Sequence, residues 1–243
     1  MDVKEEDILG DAIGDHWYYM SKGRALLDLL GTDPVSEVVD VGAGSGVFSK
    51  LLLEHGVVES AVCVDPAYAQ ERTLEHAGRP LRFVRSLRSE DSELVLMMDV
   101  LEHVPDDLAL LEEYVRGLKA GGRVVITVPA FQALWSGHDL FLEHYRRYTL
   151  SMVSHLVRRA GLEPIAERYF FGLILPVAAG ARLWDRIKLR TRHIEPRSSL
   201  RAYPPRVNRW MTAAHDLERR VIFPWNRFGG LTVFCVARKP SAA

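Results

Sequence analysis

The feature that most constrains the fold is the segment at 37–53, which has the pattern of a buried strand, a glycine turn and a helix. Val38, Val39 and Val41 suit a parallel strand that is buried on both faces. The turn at 42–46 holds three glycines, which allow positive φ and let a ligand approach the backbone closely. The spacing is G-x-G-x-G rather than the G-x-G-x-x-G of dinucleotide sites, so the segment predicts a nucleotide ligand other than NAD.

Two acidic residues accompany this turn. Asp40 lies in the strand just before it, and Asp65 ends a second apolar run at 61–65. A carboxylate at the end of the second strand of a βαβ unit can accept hydrogen bonds from both ribose hydroxyls. The pattern therefore predicts that the carboxyl ends of the first two strands hold a nucleoside.

Three motifs in order carry a family resemblance: 39–46, 64–66 and 97–104. They resemble the first, second and fourth motifs of the class I S-adenosylmethionine (SAM)-dependent methyltransferases, in the bacterial branch that acts on small molecules. The resemblance covers about residues 14–165 and the last strand. It implies SAM as the cofactor and a methyltransferase that acts on a small-molecule or lipid-linked acceptor.

The predicted fold class is α/β, a Rossmann-like, doubly wound sheet. Apolar runs predict seven strands, at 37–41, 61–65, 81–84, 94–98, 121–129, 162–170 and 231–237. Helices are expected at 21–31, 45–55, 67–76, 106–118 and 149–160. The resemblance implies the strand order 3-2-1-4-5-7-6, with strand 7 antiparallel.

The domain boundaries follow from these elements. We expect an N-terminal helical cover at 1–36, a SAM-binding domain formed by 37–170 and 231–239, and an insert at 171–230 between strands 6 and 7. So long a connection usually carries function. The insert is apolar at 173–184, rich in arginine and proline at 186–209 and helical in pattern at 210–221. A substrate-facing cap is the preferred interpretation, and a dimer surface or a lipid-docking patch stays open.

The resemblance also implies which residues hold the cofactor. Aromatic rings should face its cationic sulfonium, and the aromatic pair before the first strand suits that role, although it could simply pack the N-terminal helix. The residues after the third strand should line the adenine, but the expected acidic partner is missing from the short loop there. Asp99 should bind the methionine end or anchor its loop. The full set is Trp17, Tyr18, Asp40, Gly42, Ala43, Gly44, Asp65, Pro66, Ser86, Leu87, Asp99 and Val100.

Two residues are candidates for the chemistry. His103 could accept a proton from the acceptor as the methyl group arrives, or form a structural pair with Glu102. Tyr145, in the segment at 143–149, is expected to face the substrate. No metal site is predicted, because the nine histidines are scattered and no Cys/His spacing fits zinc.

The amino-acid composition limits the kinds of partner and the cellular location that we expect for this protein. A formal charge of -1 argues against a nucleic-acid partner. Cys63 and Cys235 lie in apolar runs typical of buried free thiols, and no apolar run reaches the ~18 residues of a membrane span, so a cytoplasmic biosynthetic enzyme is expected. A monomer or homodimer with peripheral membrane contact remains compatible with the sequence.

Two further functions stay open. The same cofactor could be consumed by intramolecular attack, as in enzymes that form azetidine-2-carboxylate and release methylthioadenosine. Alternatively, the chain could bind SAM or dock on a membrane without catalysis. The purine product separates the first alternative from methyl transfer.

Overall fold

One eight-stranded sheet forms the centre of the protein. The computed structural model describes residues 10–31, 34–87, 91–188, 198 and 201–241. The strands are β1 Val35–Val41, β2 Val58–Val64, β3 Arg72–His76, β4 Arg79–Val84, β5 Ser92–Met98, β6 Leu118–Pro129, β7 Glu163–Phe170 and β8 Thr232–Arg238. The helices are α1 Trp17–Leu30, α2 Val47–Glu54, α3 Asp107–Arg116, α4 Gly137–Phe141, α5 Leu150–Arg159, α6 Leu175–Lys188 and α7 Pro205–Val221.

The strand order is β3-β4-β2-β1-β5-β6-β8-β7. The strands β4, β2, β1, β5 and β6 are parallel, and β8 runs antiparallel between β6 and β7. This order confirms the predicted doubly wound fold. It places the carboxyl ends of β1, β2 and β5 at one edge of the sheet, where open α/β sheets bind their ligands.

The sheet has one strand more than predicted. The helix expected at 67–76 is wrong, because Arg72–His76 forms the edge strand β3, antiparallel to β4. Ala77 and Gly78 link the two strands with φ of 51° and 74°. Two consecutive positive φ values give the turn whose twist matches a hairpin. That local turn, with the Arg72 guanidinium stacked 4.4 Å from the Phe83 ring centroid, favours a strand over a helix.

Helices cover both faces of the sheet. The apolar sides of α1 and α2 pack on one face together with Phe170 and Phe223, and those of α3 and α5 pack on the other. The central strands are buried on both faces and are therefore rich in aliphatic residues. Cys63 and Cys235 are buried, free thiols.

The segment between β7 and β8 forms two helices, α6 and α7. Helix α7 begins at Pro205, earlier than the predicted 210, and packs beside α1. The Trp17 amide donates to Asn208 Oδ1 at 2.7 Å, which joins the start of α1 to α7. Much of the arginine- and proline-rich stretch, at 189–197 and 199–200, lies outside the described residues. Among the residues that the structure describes, no helix has both the length and the apolar character needed to cross a bilayer.

Candidate active site

The glycine turn joins β1 to α2 in a conformation that requires glycine. Gly42, Gly44 and Gly46 have φ of 63°, 52° and 70°, in the left-handed region. The Gly42 amide donates to the Val64 carbonyl at 2.7 Å, which holds the turn against the end of β2. A Cβ at Gly46 would lie 3.0 Å from Cys63 Sγ. The turn therefore needs glycine for its backbone conformation and, at Gly46, for close packing against Cys63 at the start of α2.

Asp65 lies beside this turn at the end of β2. Its Oδ2 accepts from the Gly44 amide at 3.2 Å, and its Oδ1 accepts from the Ala67 amide at 2.9 Å. The Tyr68 hydroxyl donates to the Gly44 carbonyl at 2.7 Å. Because each carboxylate oxygen has two lone pairs, Asp65 can still accept hydrogen bonds from a diol.

Asp40 is buried beneath the turn. The Ser49 hydroxyl donates to its Oδ2 at 2.8 Å. Burial raises the pKa of Asp40 to about 6, against the opposing hydrogen bond from Ser49. The carboxyl therefore changes charge near neutral pH at the centre of the predicted cofactor site.

A buried lysine neutralises Asp99, which follows β5. Lys22 on α1 is fully buried, and its ammonium forms an ion pair with Asp99 Oδ2. The Tyr18 hydroxyl donates to the same oxygen at 3.3 Å, and the Thr127 hydroxyl donates to Oδ1 at 3.2 Å. Burial would raise the pKa of Asp99, but the charge and hydrogen bond of Lys22 outweigh it and hold that pKa below its usual value. Asp99 is thus an ionised carboxylate with a fixed position.

A cavity of about 410 Å³ opens beside Asp99. Its wall combines the start of α1, the turn after β5, the segment around α4, and helix α6 of the insert. The lining includes Trp17, Tyr18, Asp99, Glu102, His103, Ser136, His138, His144, Arg147, Ile174, Arg182 and Tyr203. An apolar rim with a few polar groups is typical of a small-molecule site.

Aromatic stacking holds the α1 side of the cavity. The Trp17 ring stacks on His215 of α7 with centroids 5.2 Å apart, and the Tyr18 ring stacks on Phe171 at 5.1 Å. Both rings are therefore packed structurally and also line the cavity, so the two interpretations of this aromatic pair are compatible.

Three polar side chains meet at the floor of the cavity. Glu102 and His103 lie in a 3-10 turn after β5, and His144 follows α4. The rings of His103 and His144 are 4.6 Å apart, edge to face. Burial, and next the neighbouring His144, lower the pKa of His103 to about 3. His103 is therefore a neutral imidazole at physiological pH and a weak proton acceptor.

Two arginines add positive charge to the lining of the cavity. Arg147 is buried and binds Asp139 of α4 through Nε and Nη2, at 2.6 and 3.0 Å. Burial, and next the charge of Arg147, lower the pKa of Arg182 on α6 to about 10. Arg182 stays cationic, and its buried Nη1 has no hydrogen-bond partner among the described residues.

The structure brings most of the predicted site residues together. Trp17, Tyr18, Asp99 and His103 line the cavity. Asp40, Gly42, Ala43, Gly44, Asp65 and Pro66 cluster at the ends of β1 and β2, and Val100 is buried after β5. Ser86 is exposed and Leu87 half-buried, both after β4.

Tyr145 lies apart from this group. It is 57% exposed and is not among the residues that line the cavity. Its amide donates to the Glu102 carbonyl at 2.7 Å, which ties its segment to the turn after β5. Its neighbour His144 faces the cavity instead. Sequence reasoning assigned no role to His144 or Lys22, because His103 and Asp99, which these two residues meet in the site, are distant in the chain.

Comparisons with known proteins agree with this geometry. The model of the methyltransferase domain family matches residues 15–167. The chain is 29% identical over 191 residues to an uncharacterized methyltransferase of Mycobacterium bovis, a match that covers 76% of this chain and 72% of that protein.

Solved structures share the fold. A SAM-dependent methyltransferase from Archaeoglobus fulgidus has a TM-score of 0.52 at 15% identity, over 98% of both chains. A Haemonchus contortus phosphoethanolamine N-methyltransferase, solved with S-adenosylhomocysteine, has a TM-score of 0.57 at 14% identity, over 97% of this chain and 56% of that one. The family match, the sheet order and the glycine turn agree: this chain belongs to the methyltransferase domain family and is a class I SAM-dependent methyltransferase.

Proposed function

We propose that the protein methylates a small molecule with an anionic group, which binds in the 410 Å³ cavity beside Asp99. The observation that carries this proposal is the position of Arg182. This residue lines the cavity, and its buried Nη1 has no hydrogen-bond partner among the residues that the structure describes. A guanidinium with a free donor suits a carboxylate or phosphate.

The residues at the ends of β1 and β2 fit the cofactor. Three glycines of the turn have the positive φ that this turn needs, and the adjacent Asp65 keeps lone pairs for the two ribose hydroxyls. Tyr18 and Asp99 would lie on the side of the methionine moiety. SAM supplies an electrophilic methyl group on a sulfonium. The chain itself holds and aligns the acceptor, and alignment alone contributes much of the rate of such a transfer.

The cavity favours methyl transfer over self-cleavage of SAM. An enzyme in which the cofactor attacks itself needs no room for a second substrate, whereas about 410 Å³ lies within the usual range for a small-molecule site. We keep the insert as the substrate-facing cap, since Ile174, Arg182 and Tyr203 line the cavity. A cytoplasmic location, a monomeric or dimeric state and peripheral membrane contact remain parts of this proposal.

Calorimetry with SAM tests the cofactor site. We expect Asp65→Ala to weaken SAM binding about 10- to 100-fold, since hydrogen bonds to a charged group contribute about 1.5–3 kcal/mol. Glu59→Ala, which removes an exposed carboxylate, is the control and should bind as the wild type does. Unchanged affinity in Asp65→Ala would refute the assignment of this site.

Product analysis tests the reaction. The protein, SAM and a panel of small carboxylates and phosphates are incubated, and the purine product is identified. S-adenosylhomocysteine formed only with an acceptor supports transfer, whereas methylthioadenosine formed without one refutes it in favour of the cyclase or lyase alternative. SAM binding with no product from any acceptor would point to the non-catalytic alternative.

A further inference from the structure

Three metal-ligating side chains converge at the floor of the cavity. Glu102, His103 and His144 each offer one donor atom, and these atoms all lie within 4.8 Å of one another. All three residues line the cavity, so that a bound ion would be accessible to a substrate. Two nitrogens and one carboxylate, with positions left open, form a donor set typical of divalent transition metals.

Two of these side chains have buried polar atoms with no hydrogen-bond partner in the described part of the chain. Glu102 is 1% exposed, and its Oε2 has no such partner. The His144 side chain is 5% exposed, and its Nε2 likewise has none. A buried polar atom left unpaired costs about 1–3 kcal/mol. Two such atoms within one cluster of donors point to a ligand that satisfies both.

The surroundings of His144 resemble the outer shell of a metal site. Its Nδ1 lies 3.0 Å from Asp139 Oδ1, and Asp139 is held in turn by Arg147. With Nδ1 donating to the carboxylate, Nε2 keeps its lone pair and faces away from Asp139. A histidine that binds a metal through one nitrogen usually donates from the other to a carboxylate in this way.

The local charges also fit a cation. Asp99 is paired with Lys22, and Asp139 is paired with Arg147, so both neighbouring carboxylates are already neutralised. The Oε2 of Glu102, by contrast, has no hydrogen-bond partner, cationic or neutral, among the described residues. A divalent ion bound by its carboxylate and two imidazoles would supply the missing positive charge.

We propose that Glu102, His103 and His144 bind a divalent transition-metal cation whose open coordination positions face the acceptor. This proposal rests on the proposed function and refines its substrate class to an oxygen acceptor, a hydroxyl beside a second oxygen donor. The cation lowers the pKa of the coordinated hydroxyl, whose proton leaves to water. The oxygen lone pair then forms the new C–O bond as the C–S bond breaks, and that electron pair stays on sulfur.

This proposal departs from the expectation that the chain has no metal site. That expectation was based on spacing along the chain. Glu102 and His103 are adjacent, but His144 is supplied by a different segment, which the fold brings to the turn after β5. In this role His103 acts as a ligand and does not need to accept a proton.

Metal binding is tested on the chelator-treated full chain. We expect calorimetry with ZnCl2 to reveal one site per chain, and CoCl2 to give visible absorption bands of histidine-bound cobalt. Glu102→Gln, which keeps the size of the side chain, and His144→Ala should each weaken Zn²⁺ binding at least tenfold. Asp139→Asn should weaken it 10- to 100-fold by releasing His144. His155→Ala removes an exposed histidine and should leave binding unchanged.

The outcomes separate this inference from the proposed function. If the wild type binds neither Zn²⁺ nor Co²⁺ at one saturable site, or if Glu102→Gln and His144→Ala bind Zn²⁺ as the wild type does, the metal site is wrong. We expect Asp65→Ala to retain Zn²⁺ binding while it loses SAM affinity, and Glu102→Gln to retain SAM affinity. A wild-type protein that binds SAM but no Zn²⁺ or Co²⁺ would overturn this inference alone and leave the proposed function intact.

Discussion

Replacing Lys22 by methionine tests the buried ion pair that holds Asp99. Lys22 is fully buried, whereas the Asp99 side chain is 24% exposed. Methionine fits the same space without the charge, so the change removes the cation and leaves the carboxylate in place. Among the described residues, the Asp99 side chain then keeps the hydrogen bonds from Tyr18 and Thr127.

The size of the expected loss in stability follows from the burial of the ion pair. Removing one member of a buried ion pair costs about 3–5 kcal/mol, because the other charge is left uncompensated. Since Asp99 is partly exposed to solvent, we expect the lower end, a loss of about 3 kcal/mol in the free energy of unfolding at pH 8. For a domain of this size that loss lowers Tm by about 6–12 °C.

The pH dependence of this loss in stability shows whether the unpaired charge of Asp99 causes it. In the wild type the pKa of Asp99 is held low, so the pair contributes stability above about pH 4, the ordinary pKa of an aspartate. In Lys22→Met, burial raises the pKa of Asp99 instead. The variant therefore loses stability as the pH rises through this raised pKa, because the buried carboxylate then becomes charged without a cation beside it. The difference in stability between the two proteins should therefore be about 3 kcal/mol at pH 8 and shrink below about 1 kcal/mol near pH 4.

Urea denaturation followed by circular dichroism measures these values. Lys119→Met is the matched control, because Lys119 pairs with Glu93 at the surface and such pairs contribute about 0–1 kcal/mol. The double variant Lys22→Met with Asp99→Asn should regain most of the loss, since no charge is then left unpaired. A loss below about 1 kcal/mol at pH 8, or a loss independent of pH, would refute the reasoning.

Two further predictions concern the glycine turn. Gly46→Ala should cost about 2 kcal/mol or more, because its φ of 70° is unfavourable for alanine and its Cβ would press on buried Cys63 and Phe83. Gly78→Ala, with a φ of 74° and open space around its Cβ, should cost only the backbone strain of about 1 kcal/mol, and equal losses would contradict the packing argument. Asp40→Asn should match the wild type in stability at pH 4 and exceed it by up to about 3 kcal/mol at pH 7.5 without SAM. The reason is that the pKa of Asp40 is raised from 3.8 to about 6, so the wild type loses stability as the pH rises through that window. Denaturation at both pH values measures the difference in stability, and a difference that stays constant would contradict the reasoning.

Local patterns in the chain were enough to predict the central sheet and the turn. The valines of β1, the glycines after it and the carboxylate at the end of β2 lie in short contiguous segments, and their geometry depends on neighbours in sequence. The glycine positions predicted from the pattern have the positive φ that the turn needs. The hairpin of β3 and β4 escaped prediction because its outer strand is largely exposed and lacks an apolar pattern.

The cavity, by contrast, depends on contacts between distant segments. Lys22 meets Asp99 across 77 positions of the chain, and Tyr145, next to His144, reaches the Glu102 carbonyl from forty-three positions away. A residue's own type says nothing about which distant partner will neutralise or ligate it. Sequence alone determined a nucleotide-binding sheet with a glycine turn. Only the tertiary structure decided which charges are paired and which donors remain free, because the sheet order and the packing of the insert bring those side chains together.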